Sequence, residues 1–235
     1  MIKIEKLNFS VSDKEILNNI SFEVKTWEIY NILGHNGSWK TSLLKSIIWL
    51  NKINWKIIFW EKNINDLSIS QRANLGISYI MQEIPEYTWI AVETYLKWVL
   101  KKNFDLEKIS ELFENFGLNY ETYKTRYFDS HLSGWERKKI EIITNFLMDK
   151  ELYLLDEIEA SLDATSRDVL IKLIKSENKK GKTFIIVSHS KDILELAKNW
   201  VLLCNWNIDT IWENQKLLEK YFWSCDWCEG DSCKN

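Results

Sequence analysis

Glycine, proline and long apolar runs are scarce in this sequence of 235 residues, which contains 7 glycines and one proline. Ordinary usage would give about 16 glycines. No apolar run approaches the roughly 20 residues that cross a bilayer, so the sequence predicts no direct membrane insertion. A basic patch is also missing, because the net charge of −3 comes from interspersed lysine and glutamate. We therefore expect no nucleic-acid partner.

Tryptophan is abundant where glycine is scarce, with 13 residues in the chain. Trp27, Trp55 and Trp206 occupy the polar turn contexts KTWEI, INWKI and CNWNI, in which glycine normally supplies backbone freedom. A tryptophan-rich core would instead place indoles on apolar faces. These tryptophans therefore lie at positions that are typical of glycine.

The composition is that of a soluble globular protein, with 28% charged and 46% hydrophobic residues. The length fits one large α/β domain. The first residues, MIKIEKLNFSV, indicate a strand and no secretory signal. These features predict a cytoplasmic protein.

Strand and helix signals alternate along the chain, which predicts a largely parallel sheet with crossover helices. The predicted strands are KIEKLNFSV, NISFEV, IYNIL, ISYIMQ, LYLLDE and TFIIVSH. Helices are predicted for KTSLLKSII, for Ala164 to Lys179 and for Lys191 to Asn199. From Val92 to about Lys150, apolar residues recur at three- and four-residue spacing, so this block is predicted to be a helical insertion.

The loop after IYNIL, GHNGSWKT, has the frame of a phosphate-binding loop, G-x-x-x-x-G-K-[ST], with Trp39 at the second glycine. In such loops, backbone N–H groups and the N-terminus of the next helix surround phosphate oxygens. Lys40 is predicted to reach the β- and γ-phosphates and the Thr41 hydroxyl to bind Mg²⁺. The alternative is a Gly/Asn turn before a helix. The predicted nucleotide-binding residues of this loop are Gly34, His35, Asn36, Gly37, Ser38, Trp39, Lys40 and Thr41.

The apolar run LYLLDE ends in two carboxylates. A buried strand would deliver Asp156 to the carboxyl edge of the sheet, where it would hold the hydration shell of Mg²⁺. Glu157 would orient or deprotonate an attacking water. Because strands often end in acidic residues, this prediction depends on the combination with the loop.

The segment LSGWE would be LSGGE with glycine in place of Trp135, and LSGGE resembles the signature of ABC-type ATPases. The resemblance spans roughly residues 1 to 215. Gln82 follows a strand at the place of the family's Q-loop glutamine, Asp163 is placed like the family's D-loop, and His189 matches the switch histidine. Taken singly, these residues are typical of a strand end, a helix cap and a structural histidine. Their order along the chain makes the resemblance specific.

This resemblance implies an α/β fold, a P-loop NTPase with an ABC-type core, an antiparallel β subdomain and a helical signature subdomain. The ATP-binding domain would cover residues 1–215, with its helical subdomain at about 84–150. A C-terminal helix and cysteine-rich tail would occupy residues 216–235.

The resemblance also implies an ATP-driven head-to-tail homodimer that holds ATP and Mg²⁺ at its interface. Ser133, Gly134 and Trp135 of one subunit, together with Asp163, would contribute to the nucleotide site. Catalysis would rest on Glu157, His189 and Gln82. The metal ligands would be Thr41, Gln82 and Asp156.

Of two branches of the family, the sequence favours the one that energises iron–sulphur cluster assembly on a Suf-type scaffold. The segment SVSDKEIL resembles the Suf-system ATPases (SufC) of iron–sulphur cluster assembly, as do EIPEYTWI after Gln82 and the run LLDEIEASLD. Ala160 and Ser161 depart from that family's Ser-Gly. This resemblance implies Suf-type scaffold proteins as partners. The alternative is the nucleotide-binding subunit of an ABC membrane transporter, which would dock on a transmembrane subunit near Gln82 and the helical insertion.

The tryptophans at motif glycines suggest a decoding hypothesis. Trp39 and Trp135 replace motif glycines, and Trp27, Trp49, Trp55 and Trp60 lie in or near glycine-favouring turns. A decaying gene would show mixed substitutions. We therefore expect that UGA codons read as glycine were translated as tryptophan. If the tryptophans are real, the chain would be a non-hydrolysing scaffold protein.

The last residues contain Cys225, Cys228 and Cys233, in the spacing C-x₂-C-x₄-C, with Cys204 upstream. In a cytosolic protein such spacing favours zinc or iron–sulphur ligation over disulfides. Three ligands are one short of a closed site, so Cys204 or a partner would supply the fourth. The alternative is a disordered tail with incidental thiols.

Overall fold

The architecture was obtained as a computed structural model, which describes residues 1–11, 14–35, 37–48, 56–204 and 207–212. Within these ranges, two larger sheets and a helical block account for most of the chain. The predicted fold class is confirmed: the molecule combines a mostly parallel sheet, a separate antiparallel sheet and helices.

The main sheet has six strands. In spatial order they are β12 (Asn207–Trp212), β11 (Asn199–Cys204), β3 (Ile29–Leu33), β10 (Thr183–Val187), β9 (Leu152–Asp156) and β6 (Ile77–Ile80). Strands β11, β3, β10, β9 and β6 run parallel, and β12 pairs antiparallel with β11. The carboxyl ends of the parallel strands therefore meet along one edge, where sheets of this kind place ligand sites.

Both faces of the main sheet are covered, which explains why its strands are almost uniformly apolar. Within β3, Ile29 and Leu33 belong to one hydrophobic cluster and Tyr30 and Ile32 to another. This division follows from the alternation of side chains along a strand. The sheet is thus the wall between two cores.

The second sheet is antiparallel and comes from the N-terminal part of the chain. Its spatial order is β2 (Lys14–Val24), β1 (Ile2–Val11), β4 (Lys56–Phe59) and β5 (Lys62–Asn63). Buried side chains such as Ile4, Phe22 and Ile57 pack on the same cluster as Tyr30 of β3. This packing joins the two sheets.

The helices connect the strands and form the block after β6. They are α1 (Lys40–Ile47), α2 (Ile69–Asn74), α3 (Val92–Leu100), α4 (Leu106–Asn115), α5 (Tyr120–Tyr123), α6 (Gly134–Leu147), α7 (Ala164–Lys179) and α8 (Lys191–Leu194), with a 3₁₀ turn at Lys101–Asn103. None of the helices in the described ranges combines the length and apolarity of a membrane span.

Two sequence predictions of secondary structure are corrected. The block predicted as helical from Val92 to Lys150 also contains β8 (Tyr127–Phe128), which pairs with β7 (Tyr87–Ala91) just ahead of it. The helix predicted to reach Asn199 ends at Leu194, because the chain turns there and enters β11. The prediction for Ala164 to Lys179 is confirmed as α7.

Candidate functional site

The predicted phosphate loop and the predicted metal-binding and catalytic residues converge at the carboxyl edge of the main sheet. The loop of residues 34–41 follows β3, Asp156 ends β9 with Glu157 directly after it, Gln82 lies two residues beyond β6, and His189 lies two residues beyond β10. Because these strands are neighbours in the sheet, residues distant in sequence come together.

The loop after β3 is tightly folded around Gly34. A Cβ atom at this position would lie 2.3 Å from Ser38 Oγ and 2.6 Å from the Leu203 carbonyl oxygen, so only glycine fits. Gly37, with φ of +84°, also has a left-handed backbone. The Ser38 N–H donates to the carbonyl of His35. Asn36 lies outside the described residues.

Trp39 immediately precedes α1 and acts as its N-cap residue with φ 66° and ψ 27°. This left-handed conformation is uncommon for a bulky residue and natural for glycine. The indole is half-buried against the core beneath the loop, and no side-chain hydrogen bond caps the helix. The backbone at residue 39 therefore has the conformation that the motif's glycine would adopt.

Lys40 folds back into the loop. Its ammonium Nζ donates to the carbonyl of Gly34 at 2.8 Å and to that of His35 at 3.1 Å. Burial lowers the pKa of Lys40, and the nearby carboxylates Glu157 and Asp156 oppose that shift. Among the described residues this buried ammonium donates to two carbonyl oxygens, so it can exchange these weak partners for the oxygens of an anionic ligand.

Asp156 is the fully buried carboxylate of the site. Its Oδ1 accepts a hydrogen bond from Thr41 Oγ1 at 3.1 Å, and its Oδ2 accepts one from the hydroxyl of Tyr79 at 2.9 Å. Burial raises the pKa of Asp156, while these two hydrogen bonds lower it. A hydroxyl and a carboxylate this close form the hard-oxygen donor set that suits Mg²⁺, so the residues present fit that ion.

Glu157 is held by the two other predicted catalytic residues. Gln82 Nε2 donates to Glu157 Oε2 at 2.8 Å, and His189 Nε2 lies 3.5 Å from Glu157 Oε1. The backbone of Glu157 has φ of 46°, a strained conformation for glutamate that is typical of functional positions. A cavity of about 410 Å³ opens beside it, with Glu159, Arg167 and Lys191 among its lining residues.

The predicted signature residues make their contacts elsewhere. Ser133 is the N-cap of α6, where it forms a reciprocal capping box with Glu136. The Trp135 indole is 46% exposed and lies 4.7 Å below the ammonium of Lys139. Gly134, the first residue of α6, has open space where a Cβ would be. None of the contacts described for these three residues reaches the loop of residues 34–41.

Asp163 is the N-cap of α7 and also contacts α6. Its Oδ1 accepts from the backbone N–H of Ser166 at 2.8 Å, and Lys139 Nζ lies 3.1 Å from its Oδ2. These interactions, the backbone hydrogen bond first, lower the pKa of Asp163 to about 2. Asp163 therefore caps α7, as the sequence predicted, and its ion pair with Lys139 also connects α7 to α6, the helix that begins in the signature segment.

Comparisons with known proteins agree with this arrangement. The family model for ABC transporters matches residues 17–160. The chain belongs to the ABC transporter family. An uncharacterized ABC transporter ATP-binding protein from Methanocaldococcus jannaschii is 29% identical to it, over 97% of this chain and 95% of that protein.

Another ABC relative is the energy-coupling factor transporter ATP-binding protein EcfA1 of Fusobacterium nucleatum. It is 31% identical, over 86% of this chain and 78% of the relative. Among solved structures, the dimeric ATP-binding cassette bound to ADP and phosphate has a TM-score of 0.79 with 18% identity, covering 91% of this chain and 98% of that one. That likeness shows an ABC fold.

Two residues that contact the site, Tyr79 and Lys138, were not predicted from the sequence. Tyr79 donates to Asp156, as described above. Lys138, on α6, donates from Nζ to the carbonyls of Met81 at 2.6 Å and Gln82 at 2.8 Å. It is almost fully buried, and burial lowers its pKa to about 8. Only the unusual presence of a lysine on the apolar face of a helix could have indicated Lys138.

The cysteine prediction stays untested. Cys225, Cys228 and Cys233 lie outside the described residues, and Cys204 lies in β11. Across the described ranges, no cluster of three or more histidine, cysteine, aspartate or glutamate side chains forms a metal site.

Proposed function

We propose that this chain is the ATP-binding and ATP-hydrolysing subunit of an ABC transporter. The observation that carries the proposal is the convergence of Lys40, Thr41, Asp156, Glu157 and Gln82 at one edge of the sheet. Phosphoryl transfer to water requires charge neutralisation and an oriented water more than covalent chemistry. The five side chains supply both.

Each side chain has a role that its contacts support. Lys40 exchanges two carbonyl oxygens for phosphate oxygens when nucleotide enters the loop. Thr41 and Asp156 would hold Mg²⁺, which would supply positive charge to neutralise the phosphates. Glu157 orients the attacking water and accepts its proton. Gln82 and His189 fix the Glu157 carboxylate from two sides.

The site is completed by a second copy of the chain. Because Ser133, Gly134 and Trp135 lie at the exposed start of α6 and make no described contact with their own loop, a partner subunit would bring them to the γ-phosphate. The dimeric cassette with ADP and phosphate shows such a fold in a dimer. We expect ATP to drive dimerisation and hydrolysis to release it.

The transporter assignment is favoured over iron–sulphur assembly because both sequence relatives described above are named as transporter ATP-binding proteins. A transmembrane subunit would dock against the segment that follows Gln82, where Thr88 and Trp89 are exposed. The Suf-type alternative is carried by the motif LLDEIEASLD. Purification of the native complex separates the two: an integral membrane subunit supports the transporter, and soluble scaffold proteins with iron support the Suf system.

Hydrolysis is proposed to require glycine at residues 39 and 135. The support is conformational: ten described non-glycine residues have left-handed φ, and four of them are tryptophans, namely Trp27, Trp39, Trp60 and Trp89. The backbone gives no such support at Trp98, Trp135 and Trp200, since two are helical and one is a core residue of β11. Glycine at residue 135 is therefore proposed only from the resemblance of LSGWE to the signature motif.

The experiment that tests this function compares the chain as written with a double variant carrying Trp39→Gly and Trp135→Gly. We expect the double variant to bind ATP and hydrolyse it with Mg²⁺, and the tryptophan chain to do neither. A double variant that folds and binds no nucleotide would refute the proposal. Hydrolysis by the tryptophan chain would refute the requirement for glycine and leave the ATPase assignment intact.

The cysteine tail is proposed as a separate zinc or iron–sulphur site, on the spacing of Cys225, Cys228 and Cys233 alone. Metal analysis and thiol titration of the purified chain test it. Free thiols with neither zinc nor iron bound would refute it.

A further inference from the structure

Tyr79 lies beside the metal-binding carboxylate through the geometry of the sheet. Strands β6 and β9 pair in parallel, with Tyr79 opposite Leu154. Side chains alternate along each strand, so Tyr79 shares a face with Leu154 and Asp156, and this face packs towards α1. Helix α1 carries Thr41. The tyrosine hydroxyl and the Thr41 hydroxyl therefore both reach the Asp156 carboxylate on this face, at different oxygens.

The contact between the two side chains is a directed hydrogen bond. The Tyr79 hydroxyl donates to Asp156 Oδ2 at 2.9 Å, while Thr41 Oγ1 donates to Oδ1 at 3.1 Å. Asp156 is completely buried, and these are its two side-chain hydrogen bonds. The tyrosine hydroxyl is the donor of this bond, because the oxygens of a carboxylate can only accept.

We propose that Tyr79 is a positioning residue for the metal site: it fixes the Asp156 carboxylate so that Oδ1 faces Thr41, the residue with which Asp156 would hold Mg²⁺. This inference rests on the proposed ATPase function and deepens it. Without the tyrosine donor, one oxygen of a buried carboxylate would lose its partner and the group could rotate away from Thr41. Tyr79 acts through Asp156 and does not contact the nucleotide.

The test removes only the hydroxyl. Tyr79→Phe keeps the ring and its packing, and Tyr153→Phe is the matched control. Tyr153 is another buried tyrosine, on β9, and its hydroxyl accepts a hydrogen bond from the backbone N–H of Lys150 at 2.9 Å, away from the site. Both substitutions are made in the double variant with Trp39→Gly and Trp135→Gly.

Two measurements of metal affinity distinguish a positioning role of Tyr79 from a general loss of stability. The first is the Mg²⁺ concentration at half-maximal hydrolysis, measured at saturating ATP. The second is Mn²⁺ binding to the ADP-bound protein, followed by electron paramagnetic resonance, which needs no turnover. We expect Tyr79→Phe to weaken both metal affinities about tenfold, as for loss of a hydrogen bond to a charged group. ATP affinity without metal, and both metal affinities of Tyr153→Phe, should be unchanged.

Equal metal affinities in Tyr79→Phe and its parent would overturn the inference alone. A similar loss in Tyr153→Phe would also overturn it, since the effect would then come from the core. If the parent binds no metal with ADP, the proposed function falls and takes this inference with it. If the parent hydrolyses ATP and Tyr79→Phe binds metal as tightly as the parent does, the proposed function stands and only this inference fails.

Discussion

The side-chain amide of Gln82 donates to the carboxylate of Glu157 at 2.8 Å, although 75 residues separate them in the chain. One residue follows the edge strand of the parallel sheet and the other follows its neighbour. Glu157 has a left-handed backbone conformation, and its carboxylate also lies beside His189. This relationship places the proposed base where it can act on a water.

Replacement of Glu157 is expected to separate binding from hydrolysis. Glu157→Gln keeps an oxygen and a similar shape but cannot accept the proton, so kcat should fall about 10²- to 10³-fold. ATP affinity should stay within about threefold of the parent. Hydrolysis and nucleotide binding are measured in the double variant.

The control for this change is Glu83→Gln, on an exposed glutamate next to Gln82. It should leave kcat unaltered. Full activity in Glu157→Gln would show that another group takes the proton.

Lys138 is expected to support hydrolysis from outside the nucleotide site. Its ammonium donates to the carbonyls of Met81 and Gln82, so it ties the backbone around Gln82 to helix α6. Lys138→Met should lower kcat about tenfold with little change in the KM for ATP, because the amide of Gln82 loses its fixed position. Lys138→Arg should recover part of the rate.

Lys150→Met is the matched control for Lys138. Lys150 is half-buried and donates to the carbonyl of Ala73, far from the site. An equal fall in kcat in this control would assign the Lys138 effect to stability. A higher KM for ATP in Lys138→Met, with kcat unchanged, would contradict the positioning role.

Glu141 is expected to make stability depend on pH. It is deeply buried on α6, where the Tyr95 hydroxyl and the Asn145 amide both donate to it. Burial raises its pKa above the usual 4.5. The folded state therefore binds this proton more tightly, and the resulting stability is complete below pH 4.5 and is lost as pH rises through the folded-state pKa.

Glu141→Gln tests that sign. Urea unfolding of parent and variant is compared from pH 4 upwards. The parent should lose stability relative to the variant as pH rises, with a slope of at most about 1.4 kcal/mol per pH unit for one proton. A stability difference that is constant with pH would contradict a raised pKa for Glu141.

Two exposed tryptophans provide a conformational test of the glycine hypothesis. Trp89 is 85% exposed with φ of 67°, and Trp98 is 62% exposed within α3. Trp89→Gly should stabilise the fold by about 1 kcal/mol, because strain at a left-handed residue is relieved. Trp98→Gly should destabilise it by about 1 kcal/mol, the cost of glycine in a helix. Urea unfolding of the two variants gives the comparison, and equal effects would contradict it.

Much of the fold and site could be predicted from the sequence because both depend on strand–loop units that are local in the chain. The loop before Lys40, the acidic end of β9 and the residues after β6 and β10 each carry a short motif, and a parallel sheet brings such motifs to one edge. The capping role of Asp163 follows from the same local reasoning.

The features that could not be predicted are tertiary contacts between segments distant in the sequence. The pairing of β7 with β8 joins segments on either side of a helical block, and no local pattern marks it. The contact of Lys138 with the carbonyls of Met81 and Gln82 depends on how α6 packs against the segment after β6. The hydroxyl of Tyr79 becomes informative only when the register of β6 against β9 is known.

The identity of residue 39 in the native protein decides the central claim that the nucleotide-binding loop has glycine at this position. Peptide sequencing by mass spectrometry, on protein purified from the source organism, covers the loop of residues 34–41. We expect glycine at residue 39, in agreement with the left-handed backbone there. Tryptophan at residue 39 in a native protein that hydrolyses ATP would contradict it.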